Sequence, residues 1–185
     1  GKLNMQQIPR DNPIVKGCIK AKEGHKIVAM DLTTAEVYCA AVLAKDEELM
    51  NVFRQGGNFH SAIAKQVFKL PCEVEEVAEL YGDRRQQAKA VTFGIMYGAG
   101  PQKISWQVSK DSGKEFSVGE ASRVITQYFD MFKNLKKWLS INQQFIRDNA
   151  FIYSFFGRKR RLPNAKSKDQ GIACLLYTSD AADEE

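Results

Sequence analysis

The sequence predicts an α+β fold that is predominantly helical, and three observations predict it. From residue 34 to residue 149, apolar side chains return every three or four positions between capping residues, the period of helices packed by one face. Strand-like runs are confined to two short segments, residues 26–30 and 151–156. With 185 residues, 44% hydrophobic and 26% charged, the chain is long and apolar enough to bury a real core.

In order, the first ten residues have no clean period, and Pro9 and Pro13 predict an extended, irregular approach. The run Lys26-Ile27-Val28-Ala29-Met30 follows a turn at Gly24 and is expected to form a strand buried on both faces, with Asp31 at its end. A helix is expected from about Thr34 to Ala44. Asp31, Thr33 and Thr34 all suit its N-cap, and an ionised Asp at a sheet edge also suits a metal ion.

Asp46 begins an amphipathic helix with Leu49, Val52 and Phe53 inward, ended by Gly56-Gly57-Asn58. Phe59 and His60 open a helix to about Phe68, with Ile63, Ala64, Val67 and Phe68 as its core stripe. Residues 73–81 predict a short helix with Val74, Val77 and Ala78 inward, closed by Gly82. The central helix then starts behind Asp83 as N-cap and runs into Gly98-Ala99-Gly100. Beyond it lie a short helix over residues 101–109 and a turn over residues 110–114. Ser117 and Glu120 form a capping box that opens a long helical region to about Asn149, broken near Lys133-Asn134. Tyr128, Phe129, Phe132 and Trp138 read as core. The strand-like residues 151–156 lead into Gly157-Arg158-Lys159-Arg160-Arg161-Leu162-Pro163, either a solvated loop or a nucleic-acid contact.

The central helix has two working faces. Ala88, Val91 and Ile95 cluster on one side, whereas Arg85, Lys89, Phe93, Met96 and Tyr97 share about a third of the circumference on the other. Two cations one turn apart, then two rings one turn apart, extend over about 18 Å. A guanidinium fork and an ammonium can hold phosphate oxygens while a ring packs on sugar or base, so the order suits a nucleoside triphosphate; the alternative is a solvated basic helix end with aromatics in the core.

Arg-x3-Lys-x3-Phe-x3-Tyr-Gly resembles the nucleotide-binding helix motif of family A DNA polymerases, and companion segments appear in the family's order. Asp31-Leu32-Thr33-Thr34-Ala35-Glu36 resembles the first palm motif, Asp-x-Ser-x-x-Glu, although Val37-Tyr38 stands where the family has Leu-Arg. Asn4-Met5-Gln6-Gln7-Ile8-Pro9 resembles a segment near the primer-template, Gly56 to His60 a Gly-x3-His contact to the triphosphate, and the 157–163 segment a loop against the DNA backbone. The resemblance implies a fingers subdomain plus an incomplete palm of a right-hand polymerase. Its parts would be a partial palm (1–45), fingers and following helices (46–150), and a palm-returning hairpin (151–173).

The resemblance further implies template-directed nucleotidyl transfer from dNTPs to a primer 3′-hydroxyl, with two Mg²⁺ ions. Asp31 and the Leu32 carbonyl would ligate the ions. Glu36 would act as a gate against the ribose 2′-hydroxyl, and Arg85, Lys89 and His60 would bind the triphosphate, Lys89 also acting in catalysis. Phe93 would pack on sugar and base, and Tyr97 near the template. Asn4, Gln6, Gln7, Arg158, Lys159, Arg160 and Arg161 would meet primer-template DNA. A processivity factor is left unassigned. Asp31 is expected to face the Arg85, Lys89, Phe93 side of the central helix.

Composition agrees with a polyanionic partner. Net charge is +5, and without residues 174–185 it is +9, 27 basic against 18 acidic residues. No apolar run approaches a membrane span and no signal peptide opens the chain, so a cytoplasmic setting is expected, in a bacterial cell or a phage-infected host. Cys18, Cys39, Cys72 and Cys174 are scattered and indicate neither zinc nor a disulfide framework. Residues 174–185 resemble a translated sequencing adapter, and the segment with the family's second catalytic Asp is not found, so the fragment alone is expected to be inactive. A single-subunit RNA polymerase and a non-catalytic basic DNA-binding module are the alternatives.

Overall fold

The computed structural model describes residues 13–30, 32 and 34–162. The chain divides into two compact units, residues 1–33 and 34–185. In the first, α1 spans Pro13–Gly17. Pro13, expected to keep the chain extended, is its first residue, where a ring with fixed φ and no N–H fits a helix. Residues 26–30 are not a strand: Ile27, Val28 and Met30 are exposed, and the only sheet among the described residues pairs two later segments. A strand is held by ladder bonds to a neighbour, which apolar composition alone cannot supply.

The second unit holds the helices α2 (Ala35–Ala44), α3 (Glu47–Arg54), α4 (Phe59–Phe68), α5 (Val77–Leu80), α6 (Gly82–Met96), α7 (Pro101–Ser112), α8 (Val118–Met131) and α9 (Lys133–Asn149). The strands β1 (Phe151–Tyr153) and β2 (Lys159–Arg161) then form an antiparallel hairpin, Phe151 opposite Arg161. Helix α6 packs between α4 and α7, α8 covers α7, and α2 lies on α9. One core joins them, with Leu49, Ile63, Val91, Met96, Tyr128 and Leu135 shut off from solvent.

Helix starts separate what local sequence dictates from what packing dictates. Ser117 and Glu120 close the expected capping box on α8, and Asn58 accepts a bond from Ser61 N–H at the start of α4. Thr34 occupies the N-cap of α2, but with left-handed backbone (φ 52°) its hydroxyl caps nothing. Asp83 is not the cap of α6. Helix α5 ends at Leu80, the Tyr81 carbonyl accepts from Arg85 N–H, and Gly82 opens α6 rather than closing α5. Asp83 thus sits in the first turn, where its charge favours the helix dipole and pairs with Lys114. The helix expected over residues 73–81 shrinks to its last turn, and Ala78 faces solvent. Helix α7 runs on through the turn expected at 110–114 as far as Ser112, and Gly113 ends it at φ +67°.

The break between α8 and α9 falls at Phe132, whose buried ring packs edge-on to Tyr128 at 4.8 Å. Asp46 repairs it. One of its carboxylate oxygens caps α3 through Leu49 N–H (3.1 Å), and the other accepts from Leu135 N–H (2.9 Å) in the first turn of α9. A buried carboxylate with two charge-assisted bonds thus starts two helices.

Candidate functional site

Helix α6 presents most of the expected face because its other side is fixed in the core: Ala88, Val91, Thr92 and Ile95 are buried, and so is Met96, which was expected beside Phe93 and Tyr97 but is enclosed by the core. Arg85 and Phe93 are therefore half-buried, and Lys89 and Tyr97 exposed, along one line. The helix ends where expected. Tyr97 N–H still bonds the Phe93 carbonyl, and Gly98 turns the chain at φ +69°, a conformation that favours glycine. Gly94 has a separate reason, since a Cβ there would stand 2.6 Å from Ile104 of α7. This close approach sets the spacing of α6 and α7.

A cleft of about 760 Å³ opens between these two helices. Lys89, Phe93 and Tyr97 line its α6 side, and Lys103, Ile104 and Gln107 its α7 side. Arg85 turns to the opposite flank, where its Nε donates to Asn58 Oδ1 at 3.3 Å. The two cations thus diverge, one toward α4 and one into the cleft.

His60 completes the α4 flank, its ring tilted against Phe93 at 5.6 Å. It is 8% exposed, and its Nδ1 has no hydrogen-bond partner. Burial, and then the nearby charges of Lys89 and Arg85, lower its pKa to about 4, so the ring is neutral at pH 7. A neutral imidazole beside two cations can donate one bond to an anion without adding to the charge repulsion. Lys89, Phe93, Tyr97 and Lys103 thus face the cleft, while Arg85 and neutral His60 stand on the α4 flank of the same helix.

Glu36 lies in the first turn of α2, which touches α6, and is partly buried. Arg158, Lys159, Arg160 and Arg161 lie on the hairpin, but Lys159 is already engaged: its ammonium stands 3.9 Å from the centre of the Phe151 ring. Leu32 is exposed and belongs to the first unit. Asn4, Gln6, Gln7 and Asp31, with the facing expected of Asp31, lie outside the described residues. Sequence reasoning missed Asn58, which holds Arg85, and Lys103. Asn58 could have been found by its type, since Asn suits an N-cap and it stands just before Phe59, whereas nothing local marks Lys103 as part of the cleft. Among the described residues, no group of three or more His, Cys, Asp and Glu could hold a metal ion, and no helix is long and apolar enough to cross a membrane.

The sequence model of DNA polymerase family A matches residues 2–174. The chain is 46% identical over 189 aligned residues to the DNA polymerase of Escherichia phage T5, covering 93% of this chain and 22% of that protein. It is 30% identical to DNA polymerase I of Pseudomonas aeruginosa and 27% to the thermostable DNA polymerase I of Thermus aquaticus, spanning 17% and 19% of their lengths. In fold it is similar to the POL domain of Pol1 from M. smegmatis, solved in complex with DNA primer-template and dNTP. The TM-score is 0.72 at 24% identity, over 96% of this chain and 30% of that one.

Proposed function

This chain belongs to DNA polymerase family A, and from that premise we propose that it forms the nucleotide-binding part of a DNA-dependent DNA polymerase, its ligand a dNTP held along α6. The observation that carries the reading is the line of Arg85, Lys89, Phe93 and Tyr97 beside a cleft, flanked by neutral His60. Lys89 and Arg85 bind triphosphate oxygens from two sides, and Lys89 stabilises the charge that grows on the leaving pyrophosphate. His60 adds a neutral hydrogen bond. Phe93 packs on the sugar and base, Tyr97 borders the template position, and Glu36 occupies the room a 2′-hydroxyl would need.

Primer-template DNA is the proposed second partner, met by Asn4, Gln6, Gln7 and the hairpin cations, in the cytoplasm of a bacterial cell or phage-infected host. Divalent ions, proposed as Mg²⁺ on Asp31 and the Leu32 carbonyl, would lower the pKa of the primer 3′-hydroxyl. The described residues contain no ion-binding cluster of their own. What they contribute is to bind the triphosphate, orient the sugar and neutralise the leaving charge.

The test uses the full-length polymerase that carries this chain, with single-nucleotide extension of a primed template. Lys89→Ala should lower kcat/KM for dNTP by about two to three orders of magnitude, the loss typical of one preorganised donor to developing charge. Incorporation at the unaltered rate would overturn the reading. The same assay run with rNTPs separates it from an RNA polymerase, which would prefer them.

A further inference from the structure

The structure contains a relay of rings whose first three members, Tyr38, Phe53 and Phe59, the nucleotide-binding reading leaves unused. Tyr38, on α2 two residues after Glu36, packs edge-on against Phe53 of α3 at 5.2 Å and 89°. Phe53 stacks on Phe59 of α4 at 4.5 Å and 19°, and Phe59 meets His60 edge-on at 5.3 Å. His60 in turn leans on Phe93 of α6. Four helices are thereby joined, ring to ring, from the start of α2 to the middle of the candidate site.

We propose that Tyr38 is a positioning residue for nucleotide selection, acting through Phe53, Phe59 and His60 on Phe93; the proposal rests on the reading that α6 binds a dNTP. The physical ground is the absence of slack. Phe59 and His60 are 6% and 8% exposed, in a close-packed core where a displaced ring must displace its neighbour. Phe93 is only half-buried and has the cleft on one side, so what fixes its ring is the support of His60 behind it. Tyr38 is half-exposed, at 51%, and contributes little to the core. Its ring instead sets the angle between the first turns of α2, which carry Glu36, and the α3–α4 pair. Both side chains proposed to meet the sugar, Glu36 and Phe93, therefore stand at the ends of one mechanical path.

The experiment compares Tyr38→Leu, Tyr38→Phe and Phe53→Leu in the full-length polymerase, measuring KM and kcat for dNTP, selection of dNTP over ddNTP, and melting temperature. Loss of one aromatic pair should raise KM roughly two- to tenfold and shift the dNTP/ddNTP ratio, with kcat nearly unchanged. Tyr38→Leu should keep its melting temperature within about 2 °C, since the residue is half-exposed. Tyr38→Phe, which keeps the ring, should behave as the parent. Because both leucine variants interrupt one path, their effects should not add in the double variant.

Unchanged KM and selectivity in Tyr38→Leu would overturn the proposal. So would equal defects in Tyr38→Phe and Tyr38→Leu, which would put the effect in the hydroxyl, or a KM rise that only follows a fall in melting temperature. Lys89→Ala run alongside separates the two levels. If it incorporates dNTP normally, the nucleotide-binding reading itself falls; if it fails while Tyr38→Leu is silent, only the relay falls.

Discussion

His60 shows how one side chain ties binding to stability. Its imidazole has a pKa near 6.5 when unfolded and about 4 in the folded protein, lowered by burial and then by Lys89 and Arg85. Between those values the unfolded state binds more protons. Stability is therefore fully present above the unfolded pKa and is lost as pH falls toward the folded one. Lowering the pH from about 7.5 to about 5 should cost roughly 2 kcal/mol through this residue alone. Urea denaturation at the two pH values, on the parent and on His60→Gln, measures it. The variant should lose that part of the slope, and parallel pH dependence in both proteins would show that His60 does not titrate as described.

At the scale of elements, Asp46 gives the sharpest expectation. It is 2% exposed and starts both α3 and α9. Asp46→Ala should destabilise the protein by about 2–4 kcal/mol, more than the ~1 kcal/mol of an ordinary N-cap, because two buried N–H groups lose their acceptor. Asp46→Asn, which keeps one acceptor oxygen, should fall between. Thermal unfolding decides, and a loss no larger than that of a surface cap would refute the double role.

Asp46 also marks what sequence reading can reach. The α6 motif and the Ser117–Glu120 box were legible because their partners lie within a few residues. Asp83 failed as a cap because only Tyr81 separates α5 from α6, a fact of packing rather than of local preference. Residues 26–30 failed as a strand because ladder partners are remote and leave no local trace. The face of α6 was legible as a line, but the divergence of Arg85 toward Asn58 and of Lys89 toward the cleft depends on α4 and α7.

For the molecule as a whole, the charge excess is not evenly useful. Of the hairpin cations, Lys159 covers the Phe151 ring, whereas Arg161 stands exposed on the same strand. In the full-length polymerase, Arg161→Ala should weaken DNA binding equally across sequences and reduce the slope of log K against log salt by about 1. Lys159→Ala should change that slope less and loosen the hairpin more. Fluorescence anisotropy with a labelled primer-template over a salt series measures both slopes, and an unchanged slope in Arg161→Ala would remove it from the DNA contact. The whole fold also has an order of assembly written into it. Asp46 and Leu135 are 89 positions apart. On a ribosome, the first turn of α9 emerges long after the residue that satisfies it, and closing so long a loop carries an entropic cost that nearby caps do not. The docking of α9 on α2 is therefore expected late in folding, and pulsed hydrogen exchange checks it: the Leu135 amide should gain protection after the amides of α6.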